Sequence, residues 1–193
     1  MTSKIFITGS RGLLGATLIR VLQEADCGVT GFEGDIRESE ALRSAMAAAS
    51  PEIVVHAAAA TDVGRCERES EWCHAVNVDG TRNVRDAAAV HGARLINVST
   101  VSVYNGLEGD YKEDDTPDPH NVYNVSKYTA ETLVLEYERG LNLRTNIFGL
   151  HPDGSRGRNF MEWMVDSFRA NRDMNLFTDI RINPLSNWTL AEI

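Results

Sequence analysis

Tyr123 and Lys127 stand four residues apart in Tyr123-Asn124-Val125-Ser126-Lys127. On a helix that spacing puts both side chains on one face, one turn apart. An ammonium beside a phenol favours the phenolate and draws the tyrosine pKa toward neutrality. Such a pair can give a proton to a carbonyl oxygen or take one from an alcohol. Thr100, at the end of Val98-Ser99-Thr100, adds a hydroxyl that would polarise the same carbonyl where negative charge develops. Taken alone, a Tyr and a Lys on one helix are an ordinary solvated face. What lifts them above that is a glycine loop near the start of the chain, Thr8-Gly9-Ser10-Arg11-Gly12-Leu13-Leu14-Gly15. It lies between a short apolar run and a helix-period stretch. Glycines there let the backbone approach a pyrophosphate, and the helix start offers unpaired N–H groups and a positive dipole end.

These residues need a scaffold that brings strand ends together. Short apolar runs at 4–8, 29–32, 53–56, 94–98 and 143–148 read as strands. Helical spacing fills 13–25, a stretch opened by Ser39 as a cap and closed before Pro51, one long stretch over 67–90, then 122–139 and 160–168. Strands alternating with helices predict an α/β protein: a doubly wound parallel sheet with helices on both faces, since parallel strands need long crossovers. The nucleotide-binding layer is expected over 1–150 and a partial substrate-side region over 151–193. The end of the chain reads as irregular, with a helix beginning near Thr189. Two loops stand out: 105–121, with Asp110, Glu113, Asp114, Asp115 and Asp118, and 151–158, with Arg156 and Arg158. The first reads as a solvated loop. The second reads as exposed, or as a contact for a substrate diphosphate.

Composition narrows the classes. The chain has 193 residues, 42% hydrophobic and 24% charged, with a net charge of −9. That balance argues against a nucleic-acid partner, which requires a basic face. No apolar run reaches the roughly 20 residues that cross a bilayer, and the N-terminus lacks a signal pattern. A soluble cytoplasmic protein is expected, with a homo-oligomer left open. Cys27, Cys66 and Cys73 lack metal or disulfide spacing, and Cys66 and Cys73, seven apart, are expected to share a buried helix face. His56 reads as a packed strand-end histidine, and His74, His91, His120 and His151 show no metal-ligand spacing.

The cofactor choice is balanced. Glu33, about eighteen residues past Gly15, can bind a ribose 2′-hydroxyl and repel a 2′-phosphate, which favours NAD. Arg11 pulls the other way. NAD(P)H is expected, with a lean to NAD.

The G-x-x-G-x-x-G spacing resembles that of short-chain dehydrogenases/reductases, and further segments sharpen the likeness. Val54-Val55-His56-Ala57-Ala58-Ala59-Ala60-Thr61 resembles V-V-N-A-A-A-x-T, and Asn77 matches a helix asparagine of that superfamily. Ser99 to Gly106 resembles S-T-D-Y-V-F-D-G, and Tyr111 to Pro117 resembles Y-x-E-D-D-x-P. Asn121-Val122-Tyr123, Leu143-Arg144-Thr145 and Gly157-Arg158-Asn159-Phe160 match as well. Together they resemble the extended dehydrogenases/reductases of Rossmann fold, and within them the dTDP-4-dehydrorhamnose reductase family.

The resemblance implies reduction of the 4-keto group of a nucleotide-linked 6-deoxyhexose. Tyr123 would be the acid, Lys127 would tune it and hold the cofactor ribose, and Thr100 would orient the carbonyl. Gly9, Ser10, Arg11, Gly12, Leu13, Leu14 and Gly15 would cradle the pyrophosphate. Glu33, Asp35 and Ile36 would meet the adenosine, with Ala57, Ala58, Ala59 and Val98 along the inner wall. Ser102, Tyr104 and Asn159 would face the substrate, and the 105–121 loop, whose segment Tyr111 to Pro117 carries part of the resemblance, would be a flap near it. The chain departs from the family where Val101-Ser102 replaces Asp-Tyr and Ile147 replaces a tryptophan. Family members also continue past the equivalent of Ile193, which implies a C-terminally short chain. Dehydratase chemistry needs an acidic pair after the threonine and is disfavoured. A sugar-nucleotide epimerase, or a non-catalytic binding subunit on the same scaffold, ranks below the reductase.

Overall fold

The computed structural model describes residues 3–154, 159–178 and 182–193. Five strands, β1 (Lys4–Thr8), β2 (Gly28–Phe32), β3 (Ile53–His56), β4 (Arg94–Thr100) and β5 (Gly140–Thr145), form one sheet in the order β2-β1-β3-β4-β5. Every pairing is parallel; Phe6 lies opposite Thr30 and Val54, and Asn97 opposite His56 and Asn142. From β1 the chain winds outward to β2, then returns to the other side of β1 as β3. Between β1 and β3, therefore, the strand order reverses, and the crevice beyond the carboxyl ends of such strands is where ligands of open α/β sheets bind.

The crossovers are α1 (Leu13–Glu24), α2 (Ser39–Ala49), α3 (Val63–Arg68), α4 (Ser70–His74), α5 (Gly80–Val90) and α6 (Val122–Leu135). On one face α2 packs on α5 and α5 on α6. Phe6, Leu42, Met46, Val54, Val84, Ala88, Leu95 and Val134 fill the layer between these helices and the sheet. β1 has Ile5, Phe6, Ile7 and Thr8 all buried, as a central parallel strand covered on both sides must. On the other face α1 meets a last helix, α8 (Asn187–Glu192). A further helix, α7 (Phe160–Arg169), is capped by the Asn159 side chain.

Several boundaries differ from the sequence reading, each for a local reason. Ser39 is the first helical residue rather than the cap; Glu38 occupies that place without a side-chain bond. The stretch 67–90 is not one helix. Glu69 leaves helical geometry between α3 and α4, and a π-helical turn, Ala75–Asp79, joins α4 to α5. Cys66 and Cys73 consequently sit on two helices, yet both are buried in one small cluster with Ala60. The run 143–148 divides: β5 ends at Thr145, and β6 (Ile147–Phe148) pairs with β7 (Leu185–Ser186) in a separate two-stranded sheet. Near the C-terminus the helix expected from Thr189 is present and begins two residues earlier, at Asn187, directly after β7. Ser186 caps α8 by accepting the Thr189 N–H, and Asn187 donates to the Thr17 hydroxyl of α1 at 2.8 Å.

His56 closes β3 in full burial, between the hydroxyls of Thr8 (2.7 Å from Nδ1) and Thr81 (3.0 Å from Nε2). Thr81 gives its proton to the Asn77 carbonyl, so toward His56 it can only accept. Nε2 therefore carries the hydrogen and Nδ1 accepts from Thr8, a pattern that the neutral ring satisfies. Burial pushes the His56 pKa from 6.5 down to about 3, with the Lys127 charge acting in the same direction. The unfolded chain takes up this proton near 6.5 and the folded chain only near 3, so stability falls as pH drops through that window. The slope is about 1.4 kcal/mol per pH unit. Denaturant titrations between pH 7 and pH 4 should show it, and His56→Asn should make the decline shallower by one proton; an unchanged slope would refute this assignment.

Candidate active site

The glycine loop is tight because backbone passes over backbone. Gly9 lies at φ +69, and a Cβ there would sit 2.6 Å from the Ala58 nitrogen. A Cβ on Gly15 would meet the Gly9 carbonyl oxygen at 2.2 Å, and Gly12 donates its N–H to that same oxygen at 2.9 Å. Side chains at these places would close the approach to the start of α1. Ser10 donates to the Phe32 carbonyl at 2.8 Å, tying the loop to the end of β2. Ala57 and Ala58 bond back to Thr8. Beyond the loop lies a cleft of about 430 Å³, bordered by Gly9, Ser10, Arg11, Gly12, Glu33, Asp35, Ile36, Ala57, Ala58 and Ala59. Sequence reasoning had proposed every one of these as a cofactor contact. It missed Arg37, Trp72 and Val76, which also line the cleft.

Charge at the outer end of this cleft is paired. Arg11 and Glu33, both well exposed, approach to 4.0 Å, so the two groups expected to pull the cofactor choice apart face each other. Asp35 binds Arg37 through its side chain and backbone, which holds the carboxyl below its ordinary range; the Arg37 side-chain hydrogen bond is the leading cause. Ile36 is buried against Gly80, and its carbonyl accepts from Asn83 at 3.0 Å.

A second cavity of about 270 Å³ adjoins the first, sharing Ala57 and Ala59. Leu14, Val98, Thr100, Tyr123 and Lys127 line it, again as expected, together with Thr61, Thr145, Asn146 and Ile147. Leu13 opens α1 beside Leu14 but does not reach this cavity. Helix α6 delivers Tyr123 and Lys127 from its first turns. Asn121 caps it by accepting the Asn124 N–H at 2.7 Å, and Glu67 of α3 accepts the Val122 N–H at 2.8 Å. Asn77, in the π-helical turn, binds both the N–H and the carbonyl of Ala60 and donates to the Ser126 hydroxyl at 2.9 Å. One buried amide thereby holds the segment after β3 against α6, beside Lys127.

The electrostatics of the trio differ from the sequence picture. Lys127 is buried, and its ammonium donates to the Val98 carbonyl at 2.8 Å. Burial lowers its pKa to about 8, while Glu131 works to raise it. The Tyr123 phenol is not drawn down. Burial pushes it up to about 12, the Cys66 and Cys73 thiols add to the rise, and only the hydrogen bond with Thr100 opposes it. At neutral pH it is a protonated donor. Thr100 accepts the Ser102 N–H at 3.1 Å, which leaves its own proton to be donated.

The proposed substrate residues are arranged otherwise. Ser102 lies in the short 3₁₀ turn Val101–Val103, and neither it nor Tyr104 lines the 270 Å³ cavity. The Tyr104 hydroxyl is engaged by the Lys112 carbonyl at 2.6 Å and by Arg144. Asn159 spends its side-chain oxygen on the Glu162 N–H at 3.0 Å, because a helix start needs that acceptor. Arg156, Gly157 and Arg158 lie outside the described residues. Among the described residues no cluster of metal-binding side chains occurs, and no helix is long and apolar enough to cross a membrane.

The comparisons agree with this geometry. The model of the family described as the RmlD substrate binding domain matches residues 3–193. The spore coat polysaccharide biosynthesis protein SpsK of Bacillus subtilis is 30% identical over 98% of this chain and 68% of its own length. A dTDP-4-dehydrorhamnose reductase of Streptomyces griseus is 35% identical over 90% of this chain and 57% of its own. The crystal structure of a dTDP-4-dehydrorhamnose reductase from Bacillus anthracis in complex with NADP superposes with a TM-score of 0.90 at 28% identity, covering 100% of this chain and 69% of that one. The chain thus spans 57% to 68% of the length of these two curated relatives. Glycine cradle, strand-end threonine, Tyr/Lys helix and a family match over nearly every residue lead to one assignment: the chain belongs to the RmlD substrate-binding domain family.

Proposed function

We propose that this chain carries the cofactor layer and the proton-transfer trio of an NAD(P)H-dependent reductase acting on the 4-keto group of a nucleotide-linked deoxysugar. The observation that carries the reading is the convergence of Thr100, Tyr123 and Lys127 on a cavity continuous with the glycine-loop cleft through Ala57 and Ala59. Similarity to dTDP-4-dehydrorhamnose reductases supports a nucleotide sugar as the substrate class, and a nucleotide-sugar substrate supports the reading of a cytoplasmic enzyme. The intact trio weighs against a purely regulatory role.

The backbone approach at Gly9, Gly12 and Gly15 fits a pyrophosphate, with Glu33, Asp35 and Ile36 at the adenosine end and Lys127 at the ribose beside the reacting carbon. Bound there, the dinucleotide supplies a hydride. Thr100, hydrogen-bonded with Tyr123, turns its hydroxyl proton toward the ketone oxygen and polarises it. Tyr123, still protonated because burial raises its pKa, gives up its proton as negative charge builds on that oxygen. The Lys127 ammonium, held by the Val98 carbonyl, offsets the charge of the phenolate that results. Ile147, in place of a larger ring, gives the sugar side of the cavity an aliphatic wall.

Tyr123→Phe should lower kcat on a 4-keto deoxysugar nucleotide by about 10²–10⁴-fold while the cofactor still binds. Turnover within a few-fold of the parent would show that Tyr123 is not the acid. Fluorescence titration should also find NADH tighter than NADPH. Repulsion between Glu33 and a 2′-phosphate is worth about 1 kcal/mol near the surface, or roughly five-fold in Kd. Glu33→Gln should erase that preference; if NADPH binds more tightly from the outset, Arg11 rather than Glu33 governs the choice.

A further inference from the structure

Lys127 is one of three lysines in the chain, and it is 3% exposed, whereas Lys4 and Lys112 face solvent. Its ammonium donates to the Val98 carbonyl, a neutral acceptor. A buried cation is costly unless a counter-charge accompanies it. The counter-charge sits on the next turn of the same helix. Glu131 follows Lys127 by four residues, shares its face of α6 and is 1% exposed. Nothing in the proposed proton transfer uses this carboxylate.

Glu131 is itself held by an arginine of the sheet. Arg144 of β5 donates from Nε to both carboxylate oxygens at 3.1 Å, and from Nη2 to Oε2 at 2.8 Å. Arg144 also donates to the Tyr104 hydroxyl and lies 5.0 Å over that ring. Tyr104 in turn stacks on Tyr111, 4.5 Å between centroids, at the base of the acidic loop. The forked guanidinium fixes the plane of the carboxylate, and an aromatic pair fixes the guanidinium.

We propose that Glu131 is a positioning residue for Lys127: its buried carboxylate, locked by Arg144, keeps the lysine a cation aimed at the Val98 carbonyl and the cavity. The other titratable groups around the pair do not supply this charge. Tyr123 on α6 and Cys66 on α3 are protonated, and His56 at the end of β3 is neutral. Arg144 and Tyr104 face Glu131 from β5 and the Val101–Val103 turn, and Arg85 of α5 is engaged by Asp86 and Glu136. Glu131 is the carboxylate that opposes the fall of Lys127 on burial. The consequence for turnover rests on the reductase reading; the ionisation of the lysine does not.

The full chain, labelled at lysine Cε, should give three NMR titrations, with Lys127 the one displaced toward pH 8. In Glu131→Gln that midpoint should fall by about one pH unit, and the alkaline limb of kcat/KM should move down with it. Because Glu131→Gln strands a buried arginine, the apolar replacement E131L/R144L provides a second test, with a smaller fall expected because the Arg144 charge leaves together with the carboxylate. A Lys127 midpoint equal to the parent's in these variants overturns the proposal. If the midpoint falls but the parent never reduces a 4-keto sugar nucleotide, the reductase reading fails and the positioning role stands.

Discussion

The tightest constraint in this molecule is the passage of the Gly9 backbone across that of Ala58. It exists because β1 and β3 are neighbours whose chains leave in opposite directions, so the loop beyond β1 must fold over the segment beyond β3. A Cβ at Gly9 would come within 2.6–2.8 Å of three Ala57 and Ala58 backbone atoms, which no rotamer can relieve. With that contact made, α1 starts beside the switch point, its N–H groups open to the cleft. The run of alanines from Ala57 to Ala60 follows from the same crowding. These positions must be small where the glycine loop lies against them, and Ala60 must offer its backbone to Asn77.

A second constraint is the burial of charge under α6. Lys127, Glu131 and Arg144 form a row of alternating sign between the helix and the sheet, bordered by Asn97 and Asn142, which bond to each other at 2.8 Å. Such a row gives little net stability, because desolvation consumes most of the Coulombic gain. What it confers is geometry. An ammonium with a fixed carbonyl acceptor keeps one rotamer, and a proton donor one turn away meets the same charge in every molecule. Tyr123 then has a clear division of labour: burial keeps it protonated until an oxyanion forms, and the lysine makes its loss of the proton tolerable afterward.

Much of this was legible in the residues. The glycine loop, the strand-end threonine and the Tyr/Lys spacing each name a chemical need, and parallel strands with crossover helices bring their ends together. The readings that failed were of another kind. The spacing of Tyr123 and Lys127 shows that both can share a face; it does not show that the ammonium prefers a backbone carbonyl, so the expected fall of the phenol pKa was not found. Asn159 has a residue type suited to a sugar hydroxyl, but it precedes a helix, and capping claims its oxygen. Thr145 ends β5, Asn146 follows it and Arg37 lies beyond the end of β2, so the strand-end rule would have marked them. Glu131 and Arg144, thirteen residues apart on a helix and a strand, are joined only by the register of β4 with β5 and the seating of α6 above it.

The resting protonation state of the site follows from the same burial. A phenol poised to accept a proton needs a depressed pKa before substrate arrives; a phenol poised to donate one does not. Tyr123 belongs to the second kind, because burial and the adjoining Cys66 and Cys73 raise it and its neighbouring cation is turned toward Val98. Negative charge on a former ketone oxygen changes that balance, since a proton then moves from a phenol onto a stronger base. In the reverse direction the same phenolate takes up the proton of the alcohol, with the Lys127 ammonium on the next turn to offset its charge. Burial thus sets the resting protonation state, and the cofactor's oxidation state sets the direction.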